Sequence, residues 1–158
     1  MSNVKSLDLL QLGCLFMLAL ALIPAGAHLF ELPNKMALPP DQYMTVQNIY
    51  RGWALFGIAI FGALLLTLAH AVAVRGNATS MLLSLIAALC IGVGLAVFFA
   101  FTYPMNVLTA NWTVTPPDFE HARRQWEYSH ALNAVLMLAA FAALTLSVLT
   151  SRPNLKAA

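Results

Sequence analysis

Four stretches of this chain, at residues 9–30, 53–74, 81–102 and 130–149, are almost continuously apolar. Each is long enough to cross a hydrocarbon core, which takes about 20 helical residues. Lipid offers the backbone no hydrogen-bond partners, so only helices or closed barrels can span it. None of the four stretches alternates as a barrel strand would. Charged residues make up 9% of the chain, against about 25% in a soluble domain. The expected fold is all-α: a four-transmembrane-helix bundle forming a single integral-membrane domain over residues 1–158. Lys5, the apolar run after it and Ala25-Gly26-Ala27 also fit a signal peptide with its cleavage site. The run is long enough to span by itself, and we read it as a span.

The polar residues fall into two longer connections, 31–50 and 103–129, which four spans place on one side of the membrane. Pro33-Asn34 is expected to end the first helix. Pro39-Pro40-Asp41 then starts a helix, with proline in the first turn and an acid at the positive dipole end, running through Tyr43, Gln47, Tyr50 and Arg51 into span two. Gly76-Asn77-Ala78-Thr79-Ser80 reads as a tight turn capped by Thr79 or Ser80. Span three is expected to stop at Tyr103-Pro104. An irregular segment should follow, and a new helix from Thr115-Pro116-Pro117-Asp118. The Pro-Pro-Asp triplet recurs at Pro39 and Pro116, which suggests two parallel helical hairpins. Lys5, Arg75, Arg152 and Lys156 share the terminal side; Lys35, Arg51, Arg123 and Arg124 share the other. That tie leaves orientation to a second argument: basic residues mixed with acids pair with them, which favours cytoplasmic termini.

His28 ends span one and His130 begins span four, so both fall at a similar depth on the side of the long connections. Arg51, Trp53, Tyr103 and Asn106 belong near the same level. On the fourth helix Arg123, Trp126, Glu127, His130 and Asn133 form one stripe at i, i+3, i+4 spacing. Ionisable groups at that depth are costly unless they face the interior, which makes them candidates for function. His130 is the prime candidate, because an imidazole both accepts and donates protons near neutral pH. The competing reading is a histidine satisfied by Glu127 or a backbone carbonyl. Arg123 and Arg124 can hold an anionic oxygen, or simply pair with Glu120, Glu127 and lipid phosphate. Trp112, Trp126 and Tyr103 can stack on a flat ligand, or anchor the interface. No bound cofactor is expected. His28, Glu31 and His130 could hold a metal, or His28 and His130 a haem, but no HxxxH or HExxH motif supports either. His70, at the opposite end, is read as snorkelling outward, and His121 as solvated. Cys14 and Cys90 lack CxxC spacing and read as buried thiols. A net charge of +2 gives no sign of nucleic-acid binding. The expected partners are the bilayer and a small apolar or aromatic molecule, and self-association stays open.

With Pro104, Asn106, Trp112, Arg124, Trp126 and His130 in place, the chain resembles the anthrone-oxygenase-like family of small four-helix membrane proteins. Residues 27–55 also look like bacterial members, so the resemblance covers most of the chain and implies a bacterial inner-membrane protein. Some members oxidise an anthrone to an anthraquinone with O₂, apparently without a bound cofactor. The resemblance implies His130 as base, Arg124 as partner of the resulting anion, and Trp112 and Trp126 as walls. Tyr103, Asn106, His28, Arg51 and Asn133 would line the substrate site. A basic residue that often follows the motif histidine is Asn133 here, a departure that bears on substrate. The alternative is a non-catalytic membrane protein that binds a lipid, a quinone or a partner helix. A transporter has less support, since no acid is expected in mid-span.

Overall fold

The apolar stretches do form helices, and three of the four overshoot their expected limits. The computed structural model describes the backbone of residues 2–151 and side chains of residues 5–151, so Arg152 and Lys156 lie outside the described residues. Its helices are α1 (Ser2–Met36), α2 (Pro40–Gln47), α3 (Phe56–Ala73), α4 (Ala78–Val97), α5 (Tyr103–Leu108) and α6 (Phe119–Ser151). Short 3₁₀ turns cover Asn48–Tyr50 and Trp53–Leu55, and a π-helical turn covers Phe98–Thr102. Four helical segments are long and apolar enough to cross a membrane. They pack as a ring in which α1 touches α3 and α6, and α4 touches α3 and α6. Large apolar side chains point outward all along them, including Phe16, Phe30, Ile58, Leu65, Leu89 and Leu149. Water would not tolerate an apolar belt of that size; lipid does. The architecture is that of an integral membrane helical bundle.

Small residues set the helix spacing. Ala63, Ala87, Ala140 and Ala143 meet Cys14, Leu18, Ile91 and Leu144 in the central core, as expected where close backbone approach supplies the packing energy. Gly94 is the tightest point. A Cβ there would lie 2.7 Å from Asn133 Oδ1 and 3.0 Å from Met137 Cε. Both atoms end side chains that can swing aside, so Gly94→Ala should change stability by about 1 kcal/mol or less, measured as thermal unfolding in detergent; a larger loss would show that Asn133 and Met137 are fixed in place. Gly52, Gly57 and Gly92 make no such close contact and face open space. Gly52 instead takes φ 89°, the left-handed value that glycine adopts without penalty.

Several helix limits differ from expectation. α1 does not end at Pro33-Asn34 but runs to Met36, which places Lys35 on the same face as His28 and Glu31. α2 does not continue into span two: it stops at Gln47, and the turn at Gly52 separates it from α3. The two hairpins therefore differ, because α6 is continuous from Phe119. Helix also persists past Tyr103-Pro104 to Leu108. A proline ring clashes with the carbonyl four residues earlier, and the wider π turn just before it opens that space. The carbonyl of Phe101 accepts a bond from Gln125 Nε2 at 3.0 Å. The cap of α4 is Asn77, whose side chain accepts from Ser80 N–H, rather than Thr79 or Ser80. Asp118 Oδ1 accepts from His121 N–H at 3.2 Å, so the expected helix restart does occur there.

Polar side chains gather at both ends of the bundle. Gln11 and Ser147 belong to one end, His28 and His130 to the other; seventeen residues separate each pair along its helix, or about 26 Å. That is close to the thickness of a hydrocarbon core, about 30 Å. At the terminal end His70 is fully buried rather than snorkelling. Its ring meets Gln11 Nε2 at 3.3 Å and Ser84 Oγ at 2.9 Å. Ser84 and Ser147 join at 2.8 Å, so this cluster ties all four long helices. At the other end lies the larger cluster.

Candidate functional site

Four connected steps of sequence build this second cluster. The extension of α1 beyond Pro33 gives a stripe His28, Glu31, Lys35 at i, i+3, i+7. α6 opposes it with Arg123, Trp126, Glu127 and His130. α2 lies over both and lowers Tyr43 and Gln47 between them. The 3₁₀ turn after α2 adds Tyr50, and the turn at Gly52 adds Trp53.

Lys35 is the centre. It is 3% exposed, and Glu127 is 0% exposed. Lys35 Nζ lies 2.7 Å from Glu127 Oε1 and 3.5 Å from Glu31 Oε1. It donates to Tyr50 Oη at 3.0 Å and to Gln47 Oε1 at 3.4 Å. It also stands over the Tyr50 and Trp126 rings, 4.4 and 4.6 Å from their centroids. Tyr43 donates to Glu127 Oε1 at 2.8 Å and accepts from Gln47 Nε2 at 2.6 Å. Tyr50 donates to Glu31 Oε1. Burial, together with Glu127, pushes the Tyr43 phenol far above its usual range, and burial with Glu31 does the same to Tyr50. Both therefore remain O–H donors at neutral pH. Two carboxylates, Glu31 and Glu127, converge on the one Lys35 ammonium.

The histidines adjoin this network. His28 is 4% exposed, and its Nδ1 lies 2.9 Å from Glu31 Oε1. With Nδ1–H donated to that carboxylate, Nε2 is left as the acceptor, the arrangement of a base held in one tautomer. His130 stacks on His28 with ring centroids 4.1 Å apart and a 32° tilt. Among the described residues neither nitrogen of His130 has a hydrogen-bond partner. Glu127, expected as its partner, is taken by Lys35 and Tyr43. Tyr50, Trp53 and Trp126 surround His28, with centroids at 4.6, 5.7 and 5.0 Å. Trp126 is also 4.2 Å from His130. The result is an imidazole pair in an aromatic box.

Of the residues singled out from sequence, His28, His130 and Trp126 meet directly. Asn106 acts through Trp126, accepting from its Nε1 at 2.7 Å. Trp112 forms the layer above, edge-on to Tyr43 at 5.2 Å and Trp126 at 5.7 Å. It is delivered by a turn in which Ala110, Asn111 and Trp112 all have positive φ, a conformation that non-glycine residues adopt at a cost. Thr109 braces the turn: its Oγ1 donates to Met105 O at 2.7 Å and accepts from Trp112 N–H at 2.9 Å. Asn133 sits one turn below His130, with Oδ1 buried against Gly94. Arg124, Arg51 and Tyr103 do not join the cluster; all three are exposed. Arg124 lies on the outer face of α6, because successive residues of a helix turn by about 100° and Arg123 takes the inner position. Arg123 is bound by Glu120 at 2.7 Å and by Leu38 O at 2.8 Å. His121 is exposed, as expected.

Lys35, Tyr43, Gln47 and Tyr50 were not recognised as site residues from sequence. The signal for Lys35 lies in its spacing from His28 and Glu31, and is hidden when Pro33 is read as a helix end; nothing comparable marks Tyr43, Gln47 and Tyr50. Among the described residues no group of three His, Cys, Asp or Glu is arranged to hold a metal ion. The two histidine rings are in contact, which leaves no space for a macrocycle between them. Comparison of the chain with family models, curated proteins and solved structures finds no match.

Proposed function

We propose that the protein is an integral-membrane oxidoreductase that deprotonates an apolar aromatic substrate, anthrone- or quinol-like, and lets O₂ oxidise it without a bound cofactor. The observation that supports this reading best is the stacked pair: His28 held by Glu31, and His130 with both ring nitrogens uncommitted, inside a box of Tyr50, Trp53 and Trp126. A base near its substrate contributes typically 10²–10⁴ in rate. One imidazole takes the acidic proton, from C–H in an anthrone or O–H in a quinol. Glu31 stabilises the imidazolium, and the substrate anion pairs with it. The electron-rich anion then reduces O₂. An anthrone and O₂ give an anthraquinone and water; a quinol and O₂ give a quinone and hydrogen peroxide. The aromatic walls exclude water from the anion. We place the protein in a bacterial inner membrane with cytoplasmic termini, a reading supported by the pairing of Lys35 and Arg123 with acids on the opposite side.

The test is oxygen uptake by purified protein in lipid nanodiscs, with anthrones and quinols supplied in the lipid phase and products identified by mass. Stoichiometric oxygen loss with quinone formation is expected. Uptake no faster than in empty nanodiscs across both classes would remove the proposal.

A non-catalytic quinone- or lipid-binding role is the second reading. It is favoured by one observation: no cation in the cluster is free to meet an anionic intermediate, since Lys35 is engaged by Glu127 and Glu31. Quenching of tryptophan fluorescence by a quinone, without any oxygen uptake, would select this reading.

A further inference from the structure

Arg124 faces a groove on the outside of the bundle. The groove has a volume of about 410 Å³ and runs between α6 and the end of α4 with its π turn. Its apolar walls are Val97, Phe101 and Leu132; its polar end holds Arg124, His121 and Gln125. Phe101 is 51% exposed and Leu132 49%, so the apolar part faces the bilayer.

Three features select an occupant. First, Arg124 makes no hydrogen bond, ion pair or ring contact among the described residues. Second, nothing in the groove neutralises it: no Asp or Glu lines the walls. Glu120, one helical turn before it, is held by both oxygens to Arg123 at 2.9 and 2.7 Å. The carbonyl of Phe101, within the π turn, is taken by Gln125. Third, the polarity is graded along the groove. Arg124 lies near the start of α6, and Leu132 is eight residues, about 12 Å, deeper into the span. A lipid anchored at the interface has the same order, with charge above and hydrocarbon below.

We propose that this groove binds an anionic phospholipid, with its phosphate on the Arg124 guanidinium and part of one acyl chain against Val97, Phe101 and Leu132. A planar guanidinium suits two phosphate oxygens at once. A zwitterionic headgroup fits less well, because its ammonium would find no carboxylate in the groove. A second copy of the chain or a neutral apolar molecule would leave Arg124 unmatched.

The experiment uses the purified full-length protein in mixed micelles with equal phosphatidylglycerol and phosphatidylcholine, and native mass spectrometry to count retained lipid. Preferential retention of phosphatidylglycerol is expected. Arg124→Gln should weaken it about five-fold, the effect of one interfacial basic residue, while Arg124→Lys retains most of it. Leu132→Trp should also weaken retention, by filling the apolar end. Both sites face outward, so the bundle should stay folded, which circular dichroism checks. Inorganic phosphate at the same concentration as the lipid headgroup should not displace phosphatidylglycerol. Equal retention of the two lipids, an unchanged preference in Arg124→Gln, displacement by phosphate, or a lipid-free dimer cross-linked through this groove would each overturn the proposal.

Discussion

Lys35→Met should lower the stability of the folded bundle by about 3–5 kcal/mol, the usual cost of removing one partner from a buried ion pair. The size follows from what remains. Glu127 is 0% exposed, and without Lys35 its carboxylate keeps only the Tyr43 hydroxyl; Oε2 has no partner even in the intact protein. Tyr50 and Gln47 lose a shared partner as well, so the lid formed by α2 should loosen with the ion pair. For a chain of this length such a loss corresponds to a fall of about 10 °C in the thermal midpoint. The double variant Lys35→Met with Glu127→Leu should recover much of that stability, because it leaves no orphaned charge. Glu120→Gln is the control. Glu120 is 52% exposed at its side chain and Arg123 only 8%, but glutamine keeps an oxygen that accepts from Arg123, and Arg123 also keeps Leu38 O, so the loss should be smaller than for Lys35→Met, about 1–2 kcal/mol. Thermal melts of all four proteins in one detergent measure the contrast. Equal midpoints for Lys35→Met and Glu120→Gln would mean that Lys35 does not hold the lid.

The fold was legible because its governing signal is crude. About twenty apolar residues make a span whatever lies at its ends, so the bundle and the shared depth of His28 and His130 followed from the sequence. The ends are harder, because Pro33 and Pro104 read as helix stops, unlike the prolines that start a helix at Pro39 and Pro116. Pro33 and Pro104 both lie inside continued helix, Pro104 through the preceding π turn. Extending α1 by a single turn changes the chemistry, since it turns Lys35 from a loop cation into the centre of the cluster. The choice between Arg123 and Arg124 shows a second limit. Adjacent residues on a helix point about 100° apart; helical spacing puts Arg123 on the inner stripe, whereas the resemblance, a motif read as a string, selects Arg124. The inner one is Arg123, bound to Glu120 and Leu38 O; the outer one is Arg124. Three consecutive left-handed residues at Ala110, Asn111 and Trp112 left no trace in the sequence. Neither glycine nor proline marks them, and their support comes from Thr109.

His130→Gln should lower oxygen uptake with a responsive substrate by about 10²–10⁴-fold, while lowering the melting midpoint by only a few degrees, about 2–4 °C per kcal/mol lost. The two halves of that expectation rest on the same observation. His130 makes no hydrogen bond among the described residues, so glutamine removes no polar partner, and the stability it loses is that of two ring contacts, with His28 and Trp126, about 1–2 kcal/mol. What it removes is a group able to take a proton. His28→Gln should lower both activity and stability, since it also breaks the contact with Glu31. Glu31→Gln separates the roles further. If His28 is the base, losing its carboxylate partner should depress kcat strongly with little change in KM, because the partner stabilises a charge that appears only after proton transfer. If His130 is the base, Glu31→Gln acts through the stack and its effect on kcat should be smaller than that of His130→Gln. A pair of imidazole variants that both turn over substrate at the wild-type rate would leave the stacked histidines as packing in an aromatic lid, and the reaction would have to be sought elsewhere in the bundle.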